Sequence, residues 1–209
     1  GSARERMADM SVNVCVYCGS SSGGEPVFAD RAQRLGSRLA QLDIGLVYGG
    51  GRVGLMGIVA DAVLDGGGRV LGVIPQHLVD METAHRGLTS LDIVDSMHTR
   101  KARMEQLSAG FVVMPGGLGT FDEVFEILTW NQIGLIAKPV VFLDVDGYFA
   151  PLFHAFEHMI EAGFVSPNCR QLMQSVDDVD RAIDVATGPA PSIPAKLRDL
   201  DVTSKRSLM

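Results

Sequence analysis

The sequence predicts an α/β protein in which a Rossmann-like, doubly wound parallel sheet forms a single domain. Three observations predict this class. Short and almost continuous apolar runs alternate with helical patterns of ten or more residues, as expected when helices cover both faces of a parallel sheet. Glycine-rich segments directly follow several of the apolar runs. The chain has 209 residues, 46% of them hydrophobic, which is enough for one compact core.

Six strands and five helices are expected in alternation. The strands are the apolar runs at residues 12–17, 44–48, 69–74, 91–94, 111–114 and 139–143. The helices are the amphipathic stretches at residues 26–42, 53–64, 97–108, 120–135 and 148–161. Pro75 ends the third strand, and a polar loop that carries residues 81–87 leads to the fourth.

The two ends of the chain are expected to lie outside the folded domain. Gly1-Ser2 looks like a cloning remnant, so residues 1–10 are assigned to a tag and a flexible N-terminus. Pro189, Pro191 and Pro194 interrupt any periodicity near the other end. The domain is therefore placed at residues 11–187, and residues 188–209 are expected to form a flexible tail.

Charge and hydropathy exclude two classes of partner. The net charge of -7 and the pI of about 5.1 argue against nucleic acid, which selects basic surfaces. No apolar run approaches the roughly 18 residues that a membrane-spanning helix needs, and no signal-peptide core is present. We therefore expect no membrane partner and a cytoplasmic location.

Two short motifs suggest redox or metal chemistry, but each has a simpler explanation. Cys15 and Cys18 match C-x-x-C, yet they lie in an apolar strand pattern and are interpreted, like Cys169, as small buried residues. His154, Glu157 and His158 match H-x-x-E-H. No glutamate after Glu161 is available as a further ligand, so this motif is interpreted as an exposed helix face.

Residues 112–123 carry the most informative pattern: a buried strand, a Pro-Gly-Gly turn and the start of a helix. Such a turn brings free backbone amides to a helix N-terminus, where the helix dipole favours an anion. A phosphate-bearing ligand is therefore expected there. The alternative is a capping box, in which Thr120 and Glu123 satisfy backbone amides of the first helical turn.

Residues 49–54 satisfy the G-x-G-x-x-G pattern of dinucleotide-binding proteins. The pattern follows the second strand instead of the first, and no acidic residue for a ribose hydroxyl occurs about twenty residues later. A dehydrogenase is therefore disfavoured. A nucleotide phosphate or sugar can still approach Gly50 and Gly51 closely.

The helix at residues 97–108 places Arg100 on its core-facing stripe. A buried arginine needs an anion, and Glu123, Glu82 or a substrate phosphate are the candidates. Lys101 and Glu105 are spaced as a solvated ion pair.

These residues are expected to meet, because ligands of doubly wound sheets bind outside the carboxyl ends of the strands. Gly19 and Ser20 follow strand one, the three glycines follow strand two, and residues 115–123 follow strand five. The helix at 120–135 is apolar nearly all round, which predicts either a subunit interface or a fully buried helix.

The segments 115–123 and 97–101 resemble the two signature motifs of the LONELY GUY (LOG) family of cytokinin riboside 5'-monophosphate phosphoribohydrolases. The similarity extends over roughly residues 12–185. Members have often been called lysine decarboxylases, but none of the four lysines has a recognisable cofactor-aldimine context.

The resemblance implies an enzyme that hydrolyses the N-glycosidic bond of a nucleoside 5'-monophosphate, such as the cytokinin nucleotide or AMP, to free base and ribose 5-phosphate. It implies no metal, no organic cofactor and a homodimer. Arg100 and Glu123 would be catalytic. The substrate would contact the loop Gly116, Gly117, Leu118, Gly119 and Thr120, together with Glu82, Lys101 and Thr129.

The implied chemistry agrees with the residue types. Breaking a ribosyl C–N bond builds positive charge on the sugar, which a carboxylate such as Glu123 stabilises while it orients water. Arg100 would either bind phosphate or sugar hydroxyls or hold that carboxylate ionised. The main alternative is a noncatalytic nucleotide-binding or carrier protein on the same fold, and an NAD-dependent oxidoreductase is more distant.

Overall fold

The computed structural model describes residues 12–81 and 84–192. Within them, seven parallel strands form one sheet in the order β4-β3-β2-β1-β5-β6-β7. The strands are β1 (Asn13–Tyr17), β2 (Gly45–Tyr48), β3 (Val70–Pro75), β4 (Ser90–Val94), β5 (Gly110–Val113), β6 (Val140–Leu143) and β7 (Gln174–Val176). The predicted doubly wound α/β fold is confirmed.

The helices connect successive strands. They are α1 (Pro26–Gln41), α2 (Gly54–Asp65), α3 (Gln76–Met81), α4 (Met97–Gln106), α5 (Leu118–Gln132), α6 (Ala150–Glu161) and α7 (Val179–Thr187), with a 3-10 helix at Pro167–Leu172. The six predicted strands and five predicted helices are present, with boundaries shifted by at most three residues. The short helix α3, the 3-10 helix, β7 and α7 were not predicted.

Two apolar layers enclose the sheet. On one face, α1, α2 and α7 bury Leu35, Val59 and Ile183 against β1, β2 and β5. On the other face, α4, α5, α6 and the 3-10 helix bury residues such as Met104 and Val124. Strands covered on both sides need side chains that are apolar in both directions, which explains the near-continuous apolar runs in the sequence.

The order in which strands are added to the sheet reverses between β1 and β5. β1 pairs with β2 on one side and with β5 on the other, so the connections that leave β1 and β5 run toward opposite edges. A crevice forms at such a switch point, outside the carboxyl ends of the strands. The loops after β1 and β5 border this crevice.

The structure places the cysteines and the histidines of the two short motifs. Cys15, Cys18 and Cys169 are buried and free, and burial raises the pKa of the Cys15 and Cys18 thiols well above the ordinary value. His154 and His158 are exposed, and Glu157 instead binds Arg170, with Nη2 and Oε2 2.8 Å apart. The described residues contain no His, Cys, Asp and Glu cluster suited to a metal ion, and no described helix is long and apolar enough to span a membrane.

The expectations for the chain ends fall largely outside the described part. Residues 1–11 and 193–209 are not described, so the assignments of a tag at 1–10 and a tail at 188–209 remain predictions. The last described helix ends at Thr187.

Candidate active site

Hydrogen bonds join the segments that were expected to converge at the carboxyl edge of the sheet. The Gly19 N–H donates to the Pro115 carbonyl (3.0 Å), and the Met56 N–H donates to the Gly19 carbonyl (3.3 Å). Arg100 Nη2 donates to the carbonyl of Gly49 (2.8 Å). The loops after β1, β2 and β5 and the first turn of α4 therefore form one connected framework.

The glycine turn after β5 ends at the N-terminus of α5. Gly117 is the N-cap residue, in extended conformation, and no side chain caps the helix. The backbone amides of the first turn have no partner within the helix, and positions 117 and 119 have open space where a Cβ would stand. The turn thus offers amide donors and the positive end of a helix dipole to an anion.

Gly116 is required by close packing. A Cβ there would lie 2.1 Å from Thr120 Oγ1 and 2.8 Å from the Gly19 backbone nitrogen. A larger residue would push apart the loops after β1 and β5.

The capping-box interpretation of Glu123 is wrong. The helix begins at Leu118, so Glu123 is its sixth residue, one turn beyond Thr120. At that depth the backbone amides already have intrahelical partners. The Glu123 side chain is 12% exposed, with Oε1 3.9 Å from Arg100 Nη1.

Arg100 is fixed by two backbone carbonyls, one just after β2 and one within β3. Its Nη2 donates to Gly49 and its Nε to the Val73 carbonyl at 3.1 Å, and the residue is 7% exposed. A Cβ at position 49 would lie 2.0 Å from Nη2, so only glycine permits this arrangement. The guanidinium is oriented before any ligand arrives.

Arg100 and Glu123 interact without forming a direct hydrogen bond. At 3.9 Å the pair interacts electrostatically but is too long for a hydrogen bond. Burial raises the pKa of Glu123 to about 7, although the charges of Arg100 and Lys101 oppose this shift. A carboxyl group with this pKa accepts and returns protons near neutral pH.

A cavity of about 220 Å³ contains these groups. Eight of the predicted site residues line it: Gly19, Ser20, Arg100, Gly117, Leu118, Gly119, Thr120 and Glu123. Cys18, Met56, Leu78 and Met97 also line it, and they were not predicted as site residues. The three long apolar side chains form a surface suited to an aromatic base. A second cavity of about 280 Å³ adjoins it at Gly19, Ser20 and Gly117 and is lined by Gly116, Phe28 and Tyr148.

Other predicted site residues are placed elsewhere. Gly50 and Gly51 are buried beside residues 84–85, where the His85 N–H donates to the Gly50 carbonyl at 3.0 Å, and they do not line the cavity. Thr129 is exposed near the other end of α5. Glu82 lies outside the described residues.

Lys101 does not form the solvated pair with Glu105 that its spacing suggested. It is 8% exposed, and its Nζ binds Glu126 and, at 2.8 Å, Asp122 of α5. Glu105 instead binds Lys138 at 2.6 Å. Lys101 therefore joins α4 to the helix that carries Glu123.

These features define an α/β protein whose switch point combines amide donors suited to an anion with a buried arginine and a carboxyl group of raised pKa. Residues 56–185 match the family model described as "Possible lysine decarboxylase". Cytokinin riboside 5'-monophosphate phosphoribohydrolases are similar to the chain across most of its length. The chain belongs to this family, the LOG family.

Three relatives illustrate the similarity. The probable enzyme LOGL1 of Oryza sativa is 48% identical over 78% of this chain and 73% of its own. The enzyme of Rhodococcoides fascians is 43% identical over 85% of this chain and 90% of its own. LOG2 of Arabidopsis thaliana is 41% identical over 82% of this chain and 81% of its own.

Solved structures share the fold at low sequence identity. The molybdenum cofactor binding protein of Rippkaea orientalis has a TM-score of 0.62 at 18% identity, over 83% of this chain and 94% of its own. The molybdenum cofactor carrier protein of Chlamydomonas reinhardtii has a TM-score of 0.62 at 22% identity, over 83% of this chain and 93% of its own.

Proposed function

We propose that this protein hydrolyses the N-glycosidic bond of cytokinin riboside 5'-monophosphate, and of AMP, to the free base and ribose 5-phosphate. The observation that carries the proposal is the position of Glu123 inside the cavity, one helical turn beyond the amides that suit a phosphate. A side chain on a helix points back toward the N-terminus. Glu123 is thus directed toward a sugar whose 5'-phosphate lies at Gly117–Thr120.

The reaction assigns a task to each group. The bond between C1' and the base nitrogen breaks, water adds its oxygen to C1', and a water proton ends on the departing base. Ionised Glu123 orients the water and stabilises the positive charge that develops on the sugar. Its raised pKa, about 7, allows it to take the proton from water and release it again.

Arg100 has a donor free for the substrate. Nε and Nη2 donate to carbonyls. Nη1 has two N–H groups: it donates to the sulfur of Met97 at 3.8 Å and lies 3.9 Å from Glu123 Oε1, which leaves one N–H for a ligand. We assign Nη1 to a sugar hydroxyl or phosphate oxygen between the two side chains. The charge of Arg100 also lowers the pKa of Glu123 against the effect of burial.

Lysine decarboxylation finds no support in the site. Lys101 binds Asp122 and Glu126, and Lys138 Nζ donates to the Glu105 carbonyl at 2.7 Å. Neither lysine lines the cavity. Lys196 and Lys205 lie outside the described residues.

The variant Glu123→Gln tests the function. It should bind the nucleotide as the wild type does, while the rate of base release falls by at least about 100-fold, because the amide neither accepts a proton nor carries charge. Release of adenine or isopentenyladenine is measured by chromatography, and binding by calorimetry.

The matched control is Glu157→Gln, which makes the same change at an exposed carboxylate on α6 whose partner among the described residues is Arg170. It should release base at the wild-type rate. Wild-type turnover in Glu123→Gln would refute the catalytic assignment. Binding without base release in the wild type would instead favour a carrier, the role that the Chlamydomonas reinhardtii neighbour's name describes.

We further propose a homodimer in the cytoplasm. The outer face of α5 remains uncovered in the single chain: Phe125 is 42% exposed, and Thr129 is exposed one turn later. Thr129 lies eleven residues after the start of α5, about 16 Å along the helix axis. It reaches a nucleotide site only when a second copy brings its own cavity to this face. Three free cysteines favour a reducing compartment.

A further inference from the structure

The hydroxyl of Tyr148 binds the turn that precedes α5 from outside the cavity. Tyr148 Oη donates to the Gly116 carbonyl at 2.6 Å. Tyr148 lines the second cavity, of about 280 Å³, and not the cavity that contains Arg100 and Glu123. A hydroxyl that contacts this turn from behind does not touch the reacting atoms.

The planarity of the peptide bond transmits this contact to the ligand side. The described residues contain no cis peptide bond, and in a trans peptide the C=O of one residue and the N–H of the next point in opposite directions. Because Tyr148 holds the Gly116 carbonyl on one side, the Gly117 N–H is held on the other. Gly117 lines both cavities, so its peptide lies between them.

The Gly117 N–H is available to a ligand. Gly117 is the N-cap residue of α5, and within the described chain its N–H donates to no backbone carbonyl. An amide fixed in direction before binding loses less freedom when it meets an anion than one that must first rotate.

Tyr148 is itself held in place. The ring of Phe28 meets it edge-on, with ring centroids 5.9 Å apart, and its N–H donates to the Val145 carbonyl at 3.1 Å. Asp146 and Gly147 before it adopt positive φ angles of 55° and 73°, which turn the chain back over the end of β6. The hydroxyl therefore reaches Gly116 from a rigid support.

We infer that Tyr148 is a positioning residue for 5'-phosphate recognition: its hydroxyl fixes the Gly116–Gly117 peptide so that the Gly117 N–H faces the phosphate. This inference rests on the proposed function for the identity of the ligand. It assigns to Tyr148 a selective effect on phosphorylated ligands, which a purely structural role would not produce.

The test compares Tyr148→Phe with the wild type, because this change removes only the hydroxyl and keeps the ring contact with Phe28. We expect the KM for AMP and the Kd for ribose 5-phosphate to rise by about five- to tenfold, the effect of one hydrogen bond. Inhibition by adenosine, which lacks the phosphate, should stay unchanged. Equal losses for AMP and adenosine, or wild-type constants for both, would overturn the inference.

The matched control is Tyr48→Phe. Tyr48 is fully buried at the end of β2, and its hydroxyl has no hydrogen-bond partner among the described residues. This variant should bind ribose 5-phosphate as the wild type does. Calorimetry with ribose 5-phosphate needs no turnover, so the inference about Tyr148 is tested even if the wild type released no base. Absent base release would count against the proposed function, and unchanged ribose 5-phosphate affinity in Tyr148→Phe against the role of Tyr148.

Discussion

The Glu123 side chain combines burial with a titratable group, and this combination should be measurable as a dependence of stability on pH. Its pKa rises from the ordinary value of 4.5 to about 7 because burial disfavours the charged form. The folded protein therefore binds this proton more tightly than the unfolded chain does. The stability that the protonated carboxyl provides is complete below about pH 4.5 and is lost as the pH rises through about 7.

We predict that Glu123→Gln removes this dependence. Relative to the wild type, the variant should gain up to about 3 kcal/mol of unfolding free energy between pH 4.5 and pH 8, because a neutral amide has no ionisation to suppress. Urea unfolding at several pH values measures the difference. Curves for the two proteins that stay parallel across this range would show that Glu123 titrates normally.

The sequence around Glu123 fits two interpretations, a helix cap and a site residue. The spacing of Thr120 and Glu123 also suits a capping box, and sequence alone does not distinguish a helix that starts at position 118 from one that starts at 121. The structure does, because Gly117 forms the N-cap. The amides near Thr120 are thereby left for a ligand.

Elements differ in how well the sequence predicts them, for physical reasons. Central strands such as β1 and β5 are buried on both faces and appear as apolar runs. The edge strand β7 has only three residues, none fully buried, and gives no such signal. Helix α7 has a detectable pattern, with Asp178 capping the helix ahead of buried Val179, Ala182, Ile183 and Ala186, so its omission was avoidable.

Residues of the candidate site also differ in whether a local sequence pattern marks them. Arg100, Glu123 and the glycine turn were found because each belongs to a local motif beside a strand end. Met56 and Leu78 lie on helices whose approach to the cavity depends on tertiary packing, so no local pattern marks them. Tyr148 follows β6, which neighbours β5 in the sheet, and its position after a strand end was a usable signal.

At the level of elements, Lys101 connects α4 to α5. Burial alone would lower the pKa of Lys101, but its bonds to Asp122 and Glu126 outweigh that effect and raise it. Two carboxylates one turn apart on α5 share this cation, so the position of α5 relative to Arg100 depends on it. The charge of Lys101 also lowers the pKa of Glu123.

We predict that Lys101→Met destabilises the protein by about 2 kcal/mol, between the values for exposed and buried ion pairs. It should also move the rise of kcat/KM with pH to higher pH, because Glu123 loses a neighbouring positive charge. Chemical unfolding and pH–rate profiles measure the two effects.

Lys138→Met is the control for this prediction. It removes a comparable pair, Lys138 with Glu105 at 2.6 Å, and neither residue is among the charges that shift the pKa of Glu123. We expect a loss of stability and an unchanged pH profile. A pH shift of equal size in both variants would mean that Lys101 acts through general destabilisation.

At the level of the whole molecule, the two faces of the sheet differ in how completely their helices are covered. On the face of α1, Leu42 at the C-cap is 42% exposed, and no large apolar side chain within Pro26–Gln41 is exposed. On the face of α5, Phe125 has the same exposed fraction, but the tilted ring of Phe121 lies near it, with ring centroids 6.3 Å apart, and the strongly exposed Leu118 lies on the same helix. Grouped apolar exposure marks an interface, whereas single exposed residues are ordinary.

We therefore predict that Phe125→Glu converts the proposed homodimer into a monomer, because the new charge would be buried without a partner at the proposed subunit contact. Leu42→Glu, equally exposed on the other face, should leave the dimer intact. Light scattering after gel filtration gives the mass of each variant. If Thr129 completes the partner's site, the monomeric variant should also show weaker AMP binding. A wild-type protein that stays monomeric at high concentration would confine the whole active site to one chain and remove Thr129 from it.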